Sequence, residues 1–131
     1  MSRENIMRLL ILLKKLETIS GPDLSINQEI AEIMGWKQQA TGDKIVWLQP
    51  EADISSRIPN YTGNLQDAFS LISQLSPESR SGLGWEGGLG SAKIGNNPPA
   101  TARTPAIAAC IAAIRLKKDQ DVINFRKDLP T

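Results

Sequence analysis

Histidine is absent from this chain of 131 residues. Ser-His-Asp and Cys-His nucleophile systems, and zinc or iron centres that use an imidazole, are therefore excluded. A single cysteine, Cys110, precludes an internal disulfide. Its place in the run AIAACIAAI makes it a small apolar packing residue, compatible with a reducing cytoplasm. Aromatic residues make up only 5% of the chain, so each one weighs heavily as an anchor for core or interface. Net charge is also nearly absent: fifteen Lys+Arg against fourteen Asp+Glu leave +1, too little to attract duplex nucleic acid without sequence preference. The apolar run from Ile6 to Leu13 is interrupted by Arg8 and closed by Lys14 and Lys15, far short of the ~20 residues that span a bilayer. With no leader-like cleavage pattern after it, a cytoplasmic protein without a membrane partner is expected. Oxygen-only magnesium or calcium sites stay open in principle, but no cofactor is expected.

Length and a hydrophobic fraction of 40% fit one globular domain. The spacing predicts a helix over residues 2–18, with Ser2 as its N-cap and Ile6, Leu9, Leu10, Leu13 and Leu16 as its apolar stripe. Met7, Ile11 and Leu12 widen that stripe, so part of the helix is expected to meet a second layer or another subunit. Ser20-Gly21-Pro22-Asp23 ends this helix, and a second follows with Leu24, Ile26, Ile30, Ile33 and Met34, closing at Gly35-Trp36. After the turn Thr41-Gly42-Asp43, Lys44-Ile45-Val46-Trp47-Leu48 reads as a strand covered on both faces. A third helix is expected after Tyr61, capped by Thr62, with Leu65, Ala68, Phe69, Ile72 and Leu75 facing inward. Thr104-Pro105 opens a fourth helix rich in alanine, in whose last turn Arg115, Lys117 and Lys118 complement the helix dipole. The expected fold class is α+β, a small antiparallel sheet of about three strands sandwiched by about four helices. A single domain is expected over residues 1–118, with residues 119–131 as a tail or short docking helix.

The residues Gly82-Leu83-Gly84-Trp85-Glu86-Gly87 satisfy the letters of the dinucleotide fingerprint G-x-G-x-x-G. That pattern binds pyrophosphate only between a strand and a helix. Here a polar turn precedes it and Asn96-Asn97-Pro98-Pro99 follows. A hairpin fits better, with Leu83 and Trp85 on one arm, Ala92 and Ile94 on the other, and residues 86–91 as a loose connection. Burial of Trp85 is expected to fix the hairpin against the strand 44–48. The tip glycines Gly87 and Gly88 are then plain architecture or a mobile ligand-contacting loop, and Gly88→Val is expected to leave the fold intact.

The order of Ser20-Gly21-Pro22-Asp23, Gly35-Trp36, Pro59-Asn60-Tyr61-Thr62, Trp85 and Ala102-Arg103-Thr104-Pro105-Ala106 resembles the phage ABA sandwich domain family, small αβα proteins of phages and prophages. The likeness covers most of residues 5–118. It implies a three-layer fold and a phage setting in the host cytoplasm, and it carries over no catalytic residue.

Two helix starts are candidate ligand sites. Arg103 and Thr104 stand at one, where uncapped N–H groups attract anions; Tyr61 and Thr62 stand at the other, where the ring could stack on a base and the hydroxyl meet a phosphate. The plain alternatives are a surface arginine beside an ordinary cap, and a buried tyrosine. With Trp85, Gly87 and Gly88 these make the candidate ligand surface. The leading expectation is a non-enzymatic counter-defence protein that sequesters a nucleotide or another small anionic ligand, or else blocks a host defence protein such as a CRISPR complex. A magnesium-dependent phosphodiesterase using Asp43, Asp53 and Glu86, and a structural or packaging accessory forming homo-oligomers, are the other readings.

Overall fold

The computed structural model describes residues 3–52 and 54–129, with backbone alone at Glu86. Among the described residues four helices and two small antiparallel sheets make an α+β fold. Helix α1 (Arg3–Thr18) turns Leu9, Leu12, Leu13 and Leu16 inward, and the Ser2 cap lies outside the described residues. Met7, Leu10 and Ile11 remain exposed on its outer side. Helix α2 (Leu24–Ile33) is capped by the Asp23 carboxylate, which accepts the Ile26 N–H at 3.0 Å, so Pro22 precedes the cap instead of opening the helix. At its far end Gly35 takes φ +101°, a backbone conformation strained for any residue with a side chain, and Trp36 N–H returns to the Ala31 carbonyl.

Strands β1 (Lys37–Thr41) and β2 (Lys44–Leu48) form a hairpin around Gly42-Asp43, with Gly42 at φ +64° in the first turn position. The polar string KQQAT has little strand propensity of its own and is a strand because β2 pairs with it. The expected cover on both faces of β2 is not there. Ile45 is 67% exposed, and only the partly buried Trp47 of this hairpin packs on the core.

Helix α3 (Leu65–Leu75) is capped by Asn64, whose side chain accepts the Asp67 N–H, and not by Thr62. The buried stripe also differs from the expected one. Ala68, Leu71 and Ile72 face inward, while Leu65 and Phe69, both expected inside, are exposed.

Strands β3 (Ser81–Glu86), β4 (Leu89–Ile94) and β5 (Ala100–Ala102) form the second sheet, in that order. The glycine-rich segment is indeed a hairpin, but its connection is two residues long. Gly87 and Gly88 sit at φ +59° and +80° between the paired Glu86 and Leu89, the geometry of a type I′ turn. The hairpin lies beside β5, not against β2, because the short β4–β5 connection returns the chain along β4. Trp85 is 62% exposed, so its burial does not anchor the hairpin. Gly90, Ala92 and Ile94 do that instead, turned toward helix α4 while Leu89 and Lys93 face outward.

Helix α4 (Pro105–Lys127) is the buried middle of the molecule. Every residue from Pro105 to Ile114 is buried, which requires neighbours on all sides. Helices α1 and α3 pack against it, and so does the three-stranded sheet through β4 and β5. Alanine at 106, 108, 109, 112 and 113 keeps its backbone close to each of them. Residues 119–127 are not a separate tail but the last turns of the same helix, since neither glycine nor proline interrupts it. Arg115, Lys117 and Lys118 therefore lie in mid-helix, away from the carbonyl end they were expected to complement.

Candidate functional site

The segments Ser20–Asp23 and Pro59–Thr62 meet at one joint. Thr62 is buried, and its hydroxyl donates to the Asn27 side-chain oxygen at 2.7 Å while accepting the Asp23 N–H at 2.8 Å. The Thr62 N–H reaches the same Asn27 oxygen at 2.9 Å. Asn27 in turn donates to the Asn60 side chain at 2.8 Å, and the Asn60 N–H is held by Asp67 at 2.9 Å. Tyr61, 2% exposed, adds two further ties. Its carbonyl accepts the Cys110 thiol at 3.2 Å from α4, and its phenol oxygen accepts a bond from the Trp36 indole.

This arrangement corrects the proposed roles of Tyr61 and Thr62 as ligand contacts. A ring sealed in the core offers no face to a base, and a hydroxyl committed to Asn27 and Asp23 has no free direction for a phosphate. Desolvation, with the Asp67 carboxylate and Cys110 adding to it against the Trp36 bond, pushes the Tyr61 phenol up to about 12. Burial pushes the Cys110 thiol up to about 12 as well, so it is neither a ready thiolate nor a nucleophile.

The start of α4 is similarly occupied. Thr104 accepts the Ile107 N–H at 3.1 Å, and Pro105 has no N–H to give. Little of the anion-attracting character of a free helix terminus is left there. Gly90 presses on the same point: a Cβ built on it would lie 2.1 Å from Pro105 N. The glycines of the hairpin thus serve a tight turn at 87–88 and a close backbone approach at 90. No mobile flap is required to explain them.

Three of the predicted residues do come together. Thr62, Trp85 and Thr104 line a groove of about 260 Å³ with Pro22, Gly63, Leu65, Pro105 and Ala106. Its rim carries two large apolar side chains in solvent, Trp85 and Leu65, the latter 48% exposed. Among the described residues no charged side chain lines it. Arg103, although exposed and next to Thr104 in the chain, is not part of the lining, and neither are Gly87 and Gly88.

Of the carboxylates named for metal-assisted chemistry, Asp43 occupies the β1–β2 turn, Asp53 lies outside the described residues, and Glu86 ends β3. Among the described residues no three His, Cys, Asp or Glu side chains gather as a metal-binding group. A second cavity, of about 340 Å³, contains none of the predicted residues. Arg115, Lys118 and Asn97 surround it, and the sequence signal for it was the spacing Ala112, Arg115, Leu116, Asp119 along one side of a helix. Comparison of the chain with protein-family models, curated proteins and solved structures gives no match.

Proposed function

We propose that this chain is a non-enzymatic binding protein that occupies another protein through the groove beside Trp85. The observation that carries the reading is the 62% exposed indole of Trp85 on the rim of an apolar groove. Tryptophan held by a paired strand loses little freedom on binding, and such residues supply much of the energy of protein interfaces. The lining favours a partner's apolar side chain over a nucleotide, because no cation faces the groove to balance a phosphate. The resemblance to phage ABA sandwich proteins supports a phage setting and a counter-defence role, in which stoichiometric occupation of a host protein is sufficient.

The test places a photoreactive phenylalanine analogue at position 85 in bacterial cells, with the same analogue at the exposed Lys93 as control. One discrete adduct at 85, absent at 93, is expected, and Trp85→Ala should abolish the interaction while leaving the melting temperature within about 2 °C, as for an exposed side chain. Absence of an adduct at 85, or calorimetric binding of a nucleotide that Trp85→Ala removes, overturns the protein-partner reading.

A further inference from the structure

We infer that the cavity beside the middle of α4 is a binding site for a small organic anion carrying an apolar body. Its floor is hydrocarbon: Leu13 of α1, Ile94 at the end of β4 and Ala112 of α4, all buried. Its charged lining is Arg115, Lys118 and Asp119 of α4, two cations to one carboxylate. Lys118 is already engaged by Asp119 at 2.8 Å. Arg115 has no ion-pair partner among the described residues, although it is partly buried. Helix-dipole pairing does not explain it either, since α4 continues to Lys127.

A guanidinium held at the edge of an apolar pocket presents a planar pair of donors to an anionic head, and gains in strength where water is partly excluded. Asn97 and Pro98, from the loop after β4, complete the lining. That loop is held in place: Asn97 N–H donates to the Ile94 carbonyl at 3.0 Å, and Gly95, at φ +55°, donates to Arg80. The site is therefore preformed, and its volume of about 340 Å³ suits a body the size of one or two fused rings beneath a single anionic group. The groove at Trp85 lacks any such cation, so the two sites select different chemistry.

The test uses 1-anilinonaphthalene-8-sulfonate, whose fluorescence rises on leaving water, beside its uncharged analogue N-phenyl-1-naphthylamine and inorganic phosphate. Wild-type protein is expected to bind one equivalent of the sulfonate, with methyl NMR shifts at Leu13, Ile94, Ala112 and Leu116 and none at Leu65 or Ala106. Arg115→Gln should weaken the sulfonate on the order of tenfold or more, the loss of one charge-assisted bidentate contact, and leave the uncharged analogue unaffected. Lys118→Gln should weaken it less, and both variants should melt as the wild type does. Equal affinity of Arg115→Gln and wild type for the sulfonate, equal affinity of wild type for the charged and uncharged probes, or displacement of the sulfonate by phosphate alone overturns the inference. Shifts confined to the Trp85 groove overturn it as well, without touching the reading of that groove.

Discussion

Two glycines of one hairpin should respond to the same substitution with opposite sign. Glycine within a strand costs conformational entropy, so Gly→Ala ordinarily stabilises by about 0.4–1 kcal/mol where backbone geometry permits. Gly82 in β3 meets that condition, because a Cβ there finds nothing within 4 Å. Gly90 in β4 does not. Its Cβ would stand 2.1 Å from Pro105 N and Thr104 C and 2.5 Å from the Thr104 carbonyl oxygen. These are backbone atoms at the start of the central helix, where Thr104 caps it and Pro105 is buried, so none can rotate away as a side-chain end would. Relief requires moving β4 off α4, which opens contacts along Ala92 and Ile94 too. Overpacking of this kind costs about 1–3 kcal/mol, and backbone opposition puts Gly90→Ala at about 3 kcal/mol or above. For a domain of this size that lowers the melting temperature by about 10 °C, against a rise of a few degrees for Gly82→Ala. Thermal unfolding followed by circular dichroism gives both shifts. A Gly90→Ala protein as stable as the wild type would refute the claim that β4 and α4 meet backbone to backbone.

Thr62→Val keeps shape but removes a buried hydroxyl that serves both Asn27 and Asp23; a loss of about 2 kcal/mol in urea unfolding is expected, and a neutral result would mean the joint is not held by that bond. Gly88→Val, expected from sequence alone to leave stability nearly intact while reducing binding, should instead cost about 1–2 kcal/mol because it forces a β-branched residue to φ +80°, whereas Gly88→Asn should cost far less. Equal stability of the two variants would count against the type I′ turn. Stability should also fall in alkali: Cys110 and Tyr61 hold their protons to about 12 when folded, against ordinary values of 9.0 and 10.0 in the unfolded chain. The contribution is intact below pH 9 and is lost as pH rises toward 12, with Cys110 alone accounting for about 1 kcal/mol between pH 9 and 10. Cys110→Ala should abolish that first part of the slope, and an unchanged pH profile in the variant would contradict the buried thiol.

Local chemistry marked several of the points where elements begin and stop, but not the Asn64 cap of α3 or the far end of α4. The Thr104-Pro105 start of α4, the Gly35 stop of α2, the Gly42-Asp43 turn and the hairpin at Gly82–Gly95 follow from caps, positive φ and period-two patterning, which act over a few residues. The same signals do not say which side of an element is buried. Leu65 and Phe69 carry the hydrophobicity expected of α3's inner face, yet Ala68, Leu71 and Ile72 are what the core receives, because the side of α3 that is buried is set by its packing against α4. Trp85 is the same lesson at the candidate site. An aromatic residue in a strand reads equally as core or as anchor for a partner; Trp85 pairs with Gly90, on the sheet face that meets the start of α4, and only the tertiary packing there leaves its indole 62% exposed. Arg115 was legible as a helix cation but not as a pocket residue, since its neighbours Leu13, Ile94 and Asn97 arrive from three other parts of the chain. Sequence by itself determined the helices, turns and the α+β class through short-range sterics and capping. Tertiary packing decided that α4 is the centre, that the two hairpins lie in separate sheets, and which side chains are left to meet a ligand, because burial depends on contacts between segments far apart in the chain.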